Sequence, residues 1–346
     1  MELFHLPRQL IQRLTRRHTL GLLASSLVSA RAQAAGNLLT NLPINLPAYP
    51  ATKAVKIIVP FAAGAGTDAM GRLMAQKLGE VMNASFVVEN RTGASGAIGT
   101  QFVAQSPPDG YTLLLVASPF TTVAASLPNA GYDPLLQFAP VSMIASGPLV
   151  WAANINLPVS DMSGLVRLAR QKPGVLNYGS AGNGGVNHLV LELLKARTGT
   201  FITHIPYRGV APAVMDMIGG QIQFVTGTIP ALLPFIKDGR IKALAVTSAK
   251  RSGALPDVPS MAEAGFAGID VVNYFALMAP VGTPQTVVSS LNYAINKVAA
   301  MPEVLARFKT DAVEPAAASP ALLGQFIEAD YRAWRNVVKT QNLKLD

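Results

Sequence analysis

The stretch VKIIVPFAAGAGTD, residues 55–68, decides the fold. Four of its first five residues are β-branched, which suits a buried strand. Proline, alanine and glycine then break the pattern. From Asp68 onward Met70, Leu73, Met74, Leu78 and Val81 recur on one helical face. Strand, glycine loop and helix in that order open a β-α-β unit. The next segments extend it. FVV at 86–88 reads as a second strand, 98–103 begins a second helix, and LLLV at 113–116 is a third strand. That alternation implies parallel strands joined by right-handed crossovers.

The alternation restarts downstream. A helix is predicted over 162–171, capped by Ser160 or Asp161. A strand ends at Tyr178, a helix covers 187–198, and another strand ends at Tyr207. Pro212 falls in the first turn of the next helix, and strands follow at 223–226 and 243–247. Two long apolar stretches, 141–153 and 271–279, bracket this second set and read as strands passing between lobes. A last helix over 320–339 should bury Leu323, Phe326, Ile327, Tyr331, Trp334 and Val338. The expected architecture is α/β with a mainly parallel sheet in each of two lobes. Lobe 1 comprises 53–150 plus 275–346, and lobe 2 comprises 151–274.

Composition narrows the function. The chain has 346 residues, half of them apolar and 14% charged, with a mean hydropathy of +0.33. Disorder needs the opposite balance. There is no cysteine, so disulfides, thiolate catalysis and cysteine metal sites are excluded. Residues 1–34 read as a signal peptide. Arg8, Arg13, Arg16 and Arg17 precede an apolar run at 19–30, and Ala32-Gln33-Ala34 offers a cleavage site. The run is too short to span a bilayer. TRRHTL at 15–20 matches a twin-arginine signal in part, with Thr19 where a bulky apolar residue is usual, so Sec and twin-arginine export both stay open. Residues 35–52, with three prolines, read as an extended leader. A periplasmic protein is expected. Cleavage takes the formal charge from +9 to +5 and leaves two histidines, His188 and His204. No paired-histidine spacing exists, so no metal site is expected.

In a parallel sheet, ligands bind beyond the carboxyl ends of the strands. Six loops lie there. The first is 62–68, preceded by Phe61 and holding Gly64, Ala65, Gly66, Thr67 and Asp68. The second, 91–96, carries Ser95, and the third, 118–121, carries Ser118. In the second lobe, 178–185 holds Ser180, Ala181, Gly182 and Asn183. The last two carry Arg208 and Thr226. These loops are rich in glycine, serine and threonine and poor in charge. Several run into helix starts, where free N–H groups favour an anion. The indicated occupant is a small carboxylate. Single residues also have structural readings. Asp68 suits a helix-start acceptor. His188 suits a brace for the glycine loop, His204 a core position, and Trp151 and Trp334 packing. Arg208 either meets a carboxylate or faces solvent. No nucleophile–base pair and no cofactor requirement emerges, so no enzyme is expected.

Eight ordered motifs then point to a family. They are VKIIVPFAAGAGTD, FVVENRTGASGAIG, PPDGYTLLLVAS, FAPVSMIASGPLV, NYGSAGNGGVNHL, HIPYRGVAPAVMDMIGGQI, KALAVTSAKRSGALPDVPSMAEAG and APVGTP. Together they resemble the extracytoplasmic solute receptors of tripartite tricarboxylate transporters, the Bug receptors. The resemblance implies a two-lobed periplasmic binding protein of the Venus-flytrap, type II-like kind, monomeric, with its ligand between the lobes. It also implies transient docking of the closed form on membrane permease subunits. The ligand carboxylate is held in such receptors by amides, hydroxyls and ordered waters. By motif these fall on Gly64, Ala65, Gly66, Thr67, Asp68, Ser180, Ala181, Gly182 and Asn183. The chain departs from the family pattern at three places. Ala65 replaces a glycine, Thr226-Gly227-Thr228 replaces Phe-Asp-Asn, and Asn273, followed by the candidate wall residue Tyr274, replaces a tryptophan. Loss of the acid near Thr226 argues against an amino-acid ligand.

Two rival readings are weaker. Residues 64–69 spell G-x-G-x-x-A after a strand, with Glu89 ending the next strand, as in an exported nicotinamide-dependent oxidoreductase. Asp68 would then set a carboxylate against a pyrophosphate. A nucleic-acid partner is prompted by a pI near 9.8, but beyond the leader no basic run is denser than Lys250-Arg251. A diffuse positive field steers anionic solutes instead.

Overall fold

The computed structural model describes residues 49–50, 53–127, 129–340 and 343. The expected signal peptide and most of the expected leader lie outside them. The chain opens with β1 (Val55–Val59), α1 (Gly66–Met82), β2 (Phe86–Asn90), α2 (Ala97–Ala104), β3 (Thr112–Ala117) and α3 (Pro119–Ser126). β1 lies between β2 and β3 and is parallel to both. α1 lies close on this sheet because Gly71 faces it. A Cβ there would come within 2.8 Å of Val59 Cγ2.

The long strand β4 (Phe138–Asn154) joins two sheets. Its first part pairs antiparallel with β9 (Val272–Pro280), from Phe138 opposite Pro280 to Pro148 opposite Val272. Its last part pairs antiparallel with β7 (Phe224–Thr228) on one side and β8 (Ile241–Val246) on the other. The first sheet runs β2-β1-β3-β9-β4, and the second continues β4-β7-β5-β6, with β5 (Asn177–Ser180) parallel to both β7 and β6 (Thr203–Pro206). Each sheet is thus a parallel triplet with antiparallel strands added by the crossover. The second sheet is covered by α4 (Met162–Gln171), α5 (Val186–Thr198), α6 (Val210–Ile218) and α7 (Ile229–Lys237). Asp161 caps α4, its Oδ1 accepting from Gly164 N at 2.6 Å.

The stretch expected to return between lobes does so differently from β4. β9 pairs only within the first sheet. Its tie to the second is the residue before it: Val271 N donates to Thr247 O, and Thr247 Oγ1 donates to Val271 O at 2.6 Å. The chain ends with α8 (Gln285–Ala299), α9 (Pro302–Thr310), the short β10 (Glu314–Pro315) and α10 (Pro320–Thr340).

α10 contributes to both interiors. Leu323 and Ile327 belong to a core on the first sheet, whereas Trp334 and Val337 belong to the core of the second. The inward stripe runs 323–327–330–334–337, a helical spacing. Val337 therefore takes the place expected of Val338, and Phe326 and Tyr331 are only half-buried. The middle of the stripe is Asp330. Its carboxylate accepts from Thr121 Oγ1 at 2.5 Å and from Trp334 Nε1 at 3.1 Å, and burial pushes its pKa up to about 6. Trp151 is fully buried in the second core, as packing requires. No helix among the described residues is long and apolar enough to cross a membrane.

Removing the anchor of α10 in the second core should be costly. Trp334→Ala is expected to destabilise the protein by about 3–5 kcal/mol, read from the denaturant midpoint. A loss below 1 kcal/mol would show that this end of the helix is not anchored.

Candidate functional site

The first loop is built around a carboxylate. Asp68 sits in the first turn of α1 and is buried. Its Oδ2 accepts from Gly64 N and Arg72 Nε, both at 2.9 Å, and its Oδ1 accepts from Asn90 Nδ2 at 2.8 Å. Asn90 Nδ2 also donates to Phe61 O at 3.0 Å. Burial alone would raise the Asp68 carboxyl. The bonds from Arg72, Gly64 and Asn90 outweigh it and hold the group below its ordinary value. Asp68 is therefore the loop's internal brace, and its oxygens are committed within the protein. The helix start beside it is open. Ala65 is the N-cap of α1 and has no side-chain acceptor, so no capping bond forms there. Gly64 and Gly66 are exposed.

The second loop is tightly wound. Gly93, Ala94, Ser95 and Gly96 all have positive φ, a sequence of left-handed residues that costs backbone energy and clusters at functional positions. The winding turns Ser95 toward the other lobe, where its Oγ donates to Asn183 O at 3.1 Å. Gly96 packs under the first loop, where a Cβ would lie 3.3 Å from Phe61 Cζ.

Ser118 and Tyr274, expected as ligand contacts, lie elsewhere. Ser118 is buried, donates to Val272 O at 3.1 Å and accepts from Tyr274 N at 3.2 Å. The Tyr274 ring is buried edge-on to Phe326, with its hydroxyl 3.1 Å from Thr121 Oγ1. Together they clasp the start of β9 to α3. The apolar neighbours Tyr274 and Phe275 pull that strand into the core, so Tyr274 is not a wall of the site. Thr226 is also buried, and its carbonyl accepts from Asn187 Nδ2 at 2.5 Å.

The glycine loop of the second lobe leads from Ser180 into α5. Gly185 caps α5 and again has no side-chain acceptor. Two imidazoles shape this loop. His188 Nδ1 accepts from Gly184 N at 3.2 Å, as a brace should. His204 Nε2 lies 2.6 Å from Ser180 Oγ, which also accepts from Gly182 N at 3.1 Å. The two rings stack at 3.8 Å and 13°, and the Tyr178 ring lies 4.7 Å from His204 and 6.3 Å from His188. Burial lowers His188 to about 4, with Lys195 adding to it, and burial followed by His188 lowers His204 to about 3. Both are neutral at pH 7. His204 is thus part of the loop's support and is half-buried, where the sequence pointed to a core position.

The two lobes touch at a seam. Beyond Ser95 and Asn183, Ser126 Oγ donates to Gly184 O at 3.5 Å. A Cβ on Gly184 would come within 2.6 Å of Ser126 Oγ, and one on Gly182 within 3.1 Å of Ser95 Oγ. Ala181 and Asn183 are half-buried there. Arg208 is exposed beside the loop, after Tyr207, whose N donates to Ser180 O at 3.1 Å; Arg208 has no ion-pair partner among the described residues. Sequence reasoning missed Arg72, Asn90, Ser126 and Asn187. Only Arg72, four residues after Asp68, left a local signal. Among the described residues no group of three potential metal ligands converges.

Comparison with known proteins adds the following. Residues 70–343 match the family described as tripartite tricarboxylate transporter family receptor. The chain is 36% identical over 305 residues to Protein BugT of Bordetella pertussis, spanning 88% of this chain and 93% of that one. It is similar to the structure of R. palustris Rpa4515 with adipate, at 37% identity and a TM-score of 0.79, covering 85% of this chain and 98% of that one. It is also similar to the structure of periplasmic binding protein BugD, at 32% identity and a TM-score of 0.77, covering 84% and 98%.

The imidazole stack carries a pH signature. A His with a folded pKa below its ordinary 6.5 contributes stability that is full above 6.5 and is lost as pH falls toward about 4. His188→Gln lacks that term. The stability gap between native protein and variant should narrow between pH 6.5 and 4, by up to about 1.4 kcal/mol per pH unit. A gap that stays constant across this range would rule out a buried neutral His188.

Proposed function

Because the chain belongs to the tripartite tricarboxylate transporter family of receptors, we propose that it is a periplasmic solute receptor that closes on a small dicarboxylate. In this reading it presents the acid to membrane permease subunits. Lobe 1 comprises 53–150 and 275–346 and lobe 2 comprises 151–274, except that β9 from Val272 joins the first sheet and the Trp334 end of α10 packs into lobe 2; residues 1–34 direct export and are removed.

One observation carries the reading. The starts of α1 and α5, which like most helices of the structure carry no side-chain cap, follow loops of opposite lobes that meet through Ser95 and Asn183. Uncapped N–H groups with the helix dipole behind them favour an anion. A carboxylate leaving water needs donors to replace its hydration, and charge-assisted bonds are the stronger kind. With donors from both lobes, only the closed form completes the shell, and that difference in contact shifts the balance toward closure. The adipate in the Rpa4515 structure is a ligand of this chemical class. The oxidoreductase reading loses ground at the same loop. Gly64 N, which a dinucleotide would need, is committed to Asp68.

Titration calorimetry with succinate, adipate, citrate and acetate tests the proposal. A dicarboxylate should bind at micromolar or better affinity, equivalent to about 8 kcal/mol. Ser95→Ala removes a bond made across the seam and should weaken that binding roughly three- to tenfold. If none of these acids binds, and none accompanies the purified protein, the reading is wrong.

A further inference from the structure

A small hollow opens between the first three loops, at the carboxyl ends of β1 and β3. It holds about 190 Å³ of empty space including its open mouth, lined by residues such as Pro60, Phe61, Ser95, Val116, Pro119 and Phe120. Ser95 is both part of this lining and the contact to the second lobe, so the hollow adjoins the seam. Its enclosed part has room for little more than one water or methylene group. It cannot take a carboxylate with its hydration.

The side chains of the lining have nothing left to donate. Three of the lining residues carry hydroxyls, and each proton is committed: Ser95 Oγ to Asn183 O, Thr100 Oγ1 to Gly96 O at 2.8 Å, and Tyr132 OH to Phe120 O at 2.7 Å. Pro60 and Pro119 have no N–H, and Gly96 N donates to Gly93 O at 2.9 Å. Phe61, Val116, Ala117 and Phe120 supply hydrocarbon surface, and Tyr132 stacks on Phe120 at 5.7 Å. An apolar group entering gains contact. A hydroxyl entering gives up water and meets no free side-chain donor.

We propose that this hollow selects dicarboxylates with a hydrocarbon chain over their hydroxylated counterparts, because it adjoins the seam between the lobes and every side-chain hydroxyl in its lining is already paired. The inference rests on the dicarboxylate reading above and adds the character of the chain between the two acid groups. Adding a hydroxyl to a ligand in an apolar site costs at most about a hundredfold, so the expected preference is about ten- to hundredfold.

Calorimetry with matched pairs tests it: succinate against malate, glutarate against 2-hydroxyglutarate, and adipate against galactarate. The hydroxyl-free member should bind about ten- to hundredfold more tightly in each pair that binds. Val116→Thr adds a hydroxyl to the lining at nearly constant shape and should narrow the preference. Ala117→Ser makes the same test if the first variant fails to fold. Equal or tighter binding of the hydroxylated acids overturns the inference while the receptor reading stands. So does an unchanged preference in a folded variant. Failure of every acid to bind sinks both together.

Discussion

The first loop of the proposed anion site depends on one buried carboxylate held by three partners. Asp68 ties the loop at Gly64, its own helix at Arg72 and the neighbouring strand at Asn90. A negative charge beside an anion site would ordinarily repel the ligand. Here Arg72 balances it, so the start of α1 presents its dipole without a net opposing charge. The cost is one N–H, that of Gly64. The gain is a loop whose backbone cannot relax when a ligand arrives or leaves.

The second lobe's loop of the proposed site is held by a different chemistry. His188 and His204 are neutral and stacked, His188 buried and His204 half-buried, and they fix the glycine loop through Gly184, Gly182 and Ser180. Neutral imidazoles can brace a loop without drawing the ligand toward themselves. In the proposed reading the attraction is left to backbone amides, whose positions the fold sets. The glycines meet a second demand at the seam, where Ser95 and Ser126 come too close for side chains at Gly182 and Gly184.

Much of this architecture could be read from residue order. Strong periodicity and β-branched runs located β1, α1, α4 and α5, and β4 was visible as an apolar stretch too long for one sheet. The loops at strand ends were visible through glycine and serine content. What could not be read was direction. Ser118 and Tyr274 stand in plausible loop positions, but long-range bonds to Val272 and Thr121 turn them into the interior. Asn90 ends a strand and looks unremarkable until the fold brings it to Asp68. α3, α7, α8 and α9 were not anticipated; Pro230 and Pro234 blur α7, and the start of α3 reads as a loop, but Val288, Leu291, Ile295 and Val298 mark a helical face in α8 that the reading passed over. The local pattern names the loops, and only tertiary contact says which of their side chains face a ligand.

The last helix adds a mechanical condition. α10 has 21 residues and so spans roughly 30 Å. Leu323 and Ile327 fasten one end and Trp334 and Val337 the other, in different hydrophobic interiors. It acts as a splint across the joint. A wide parting of the lobes has to bend the rod or pull Trp334 from its socket. If the loops of the proposed site open by parting of the lobes, the far end of the chain limits how far they part.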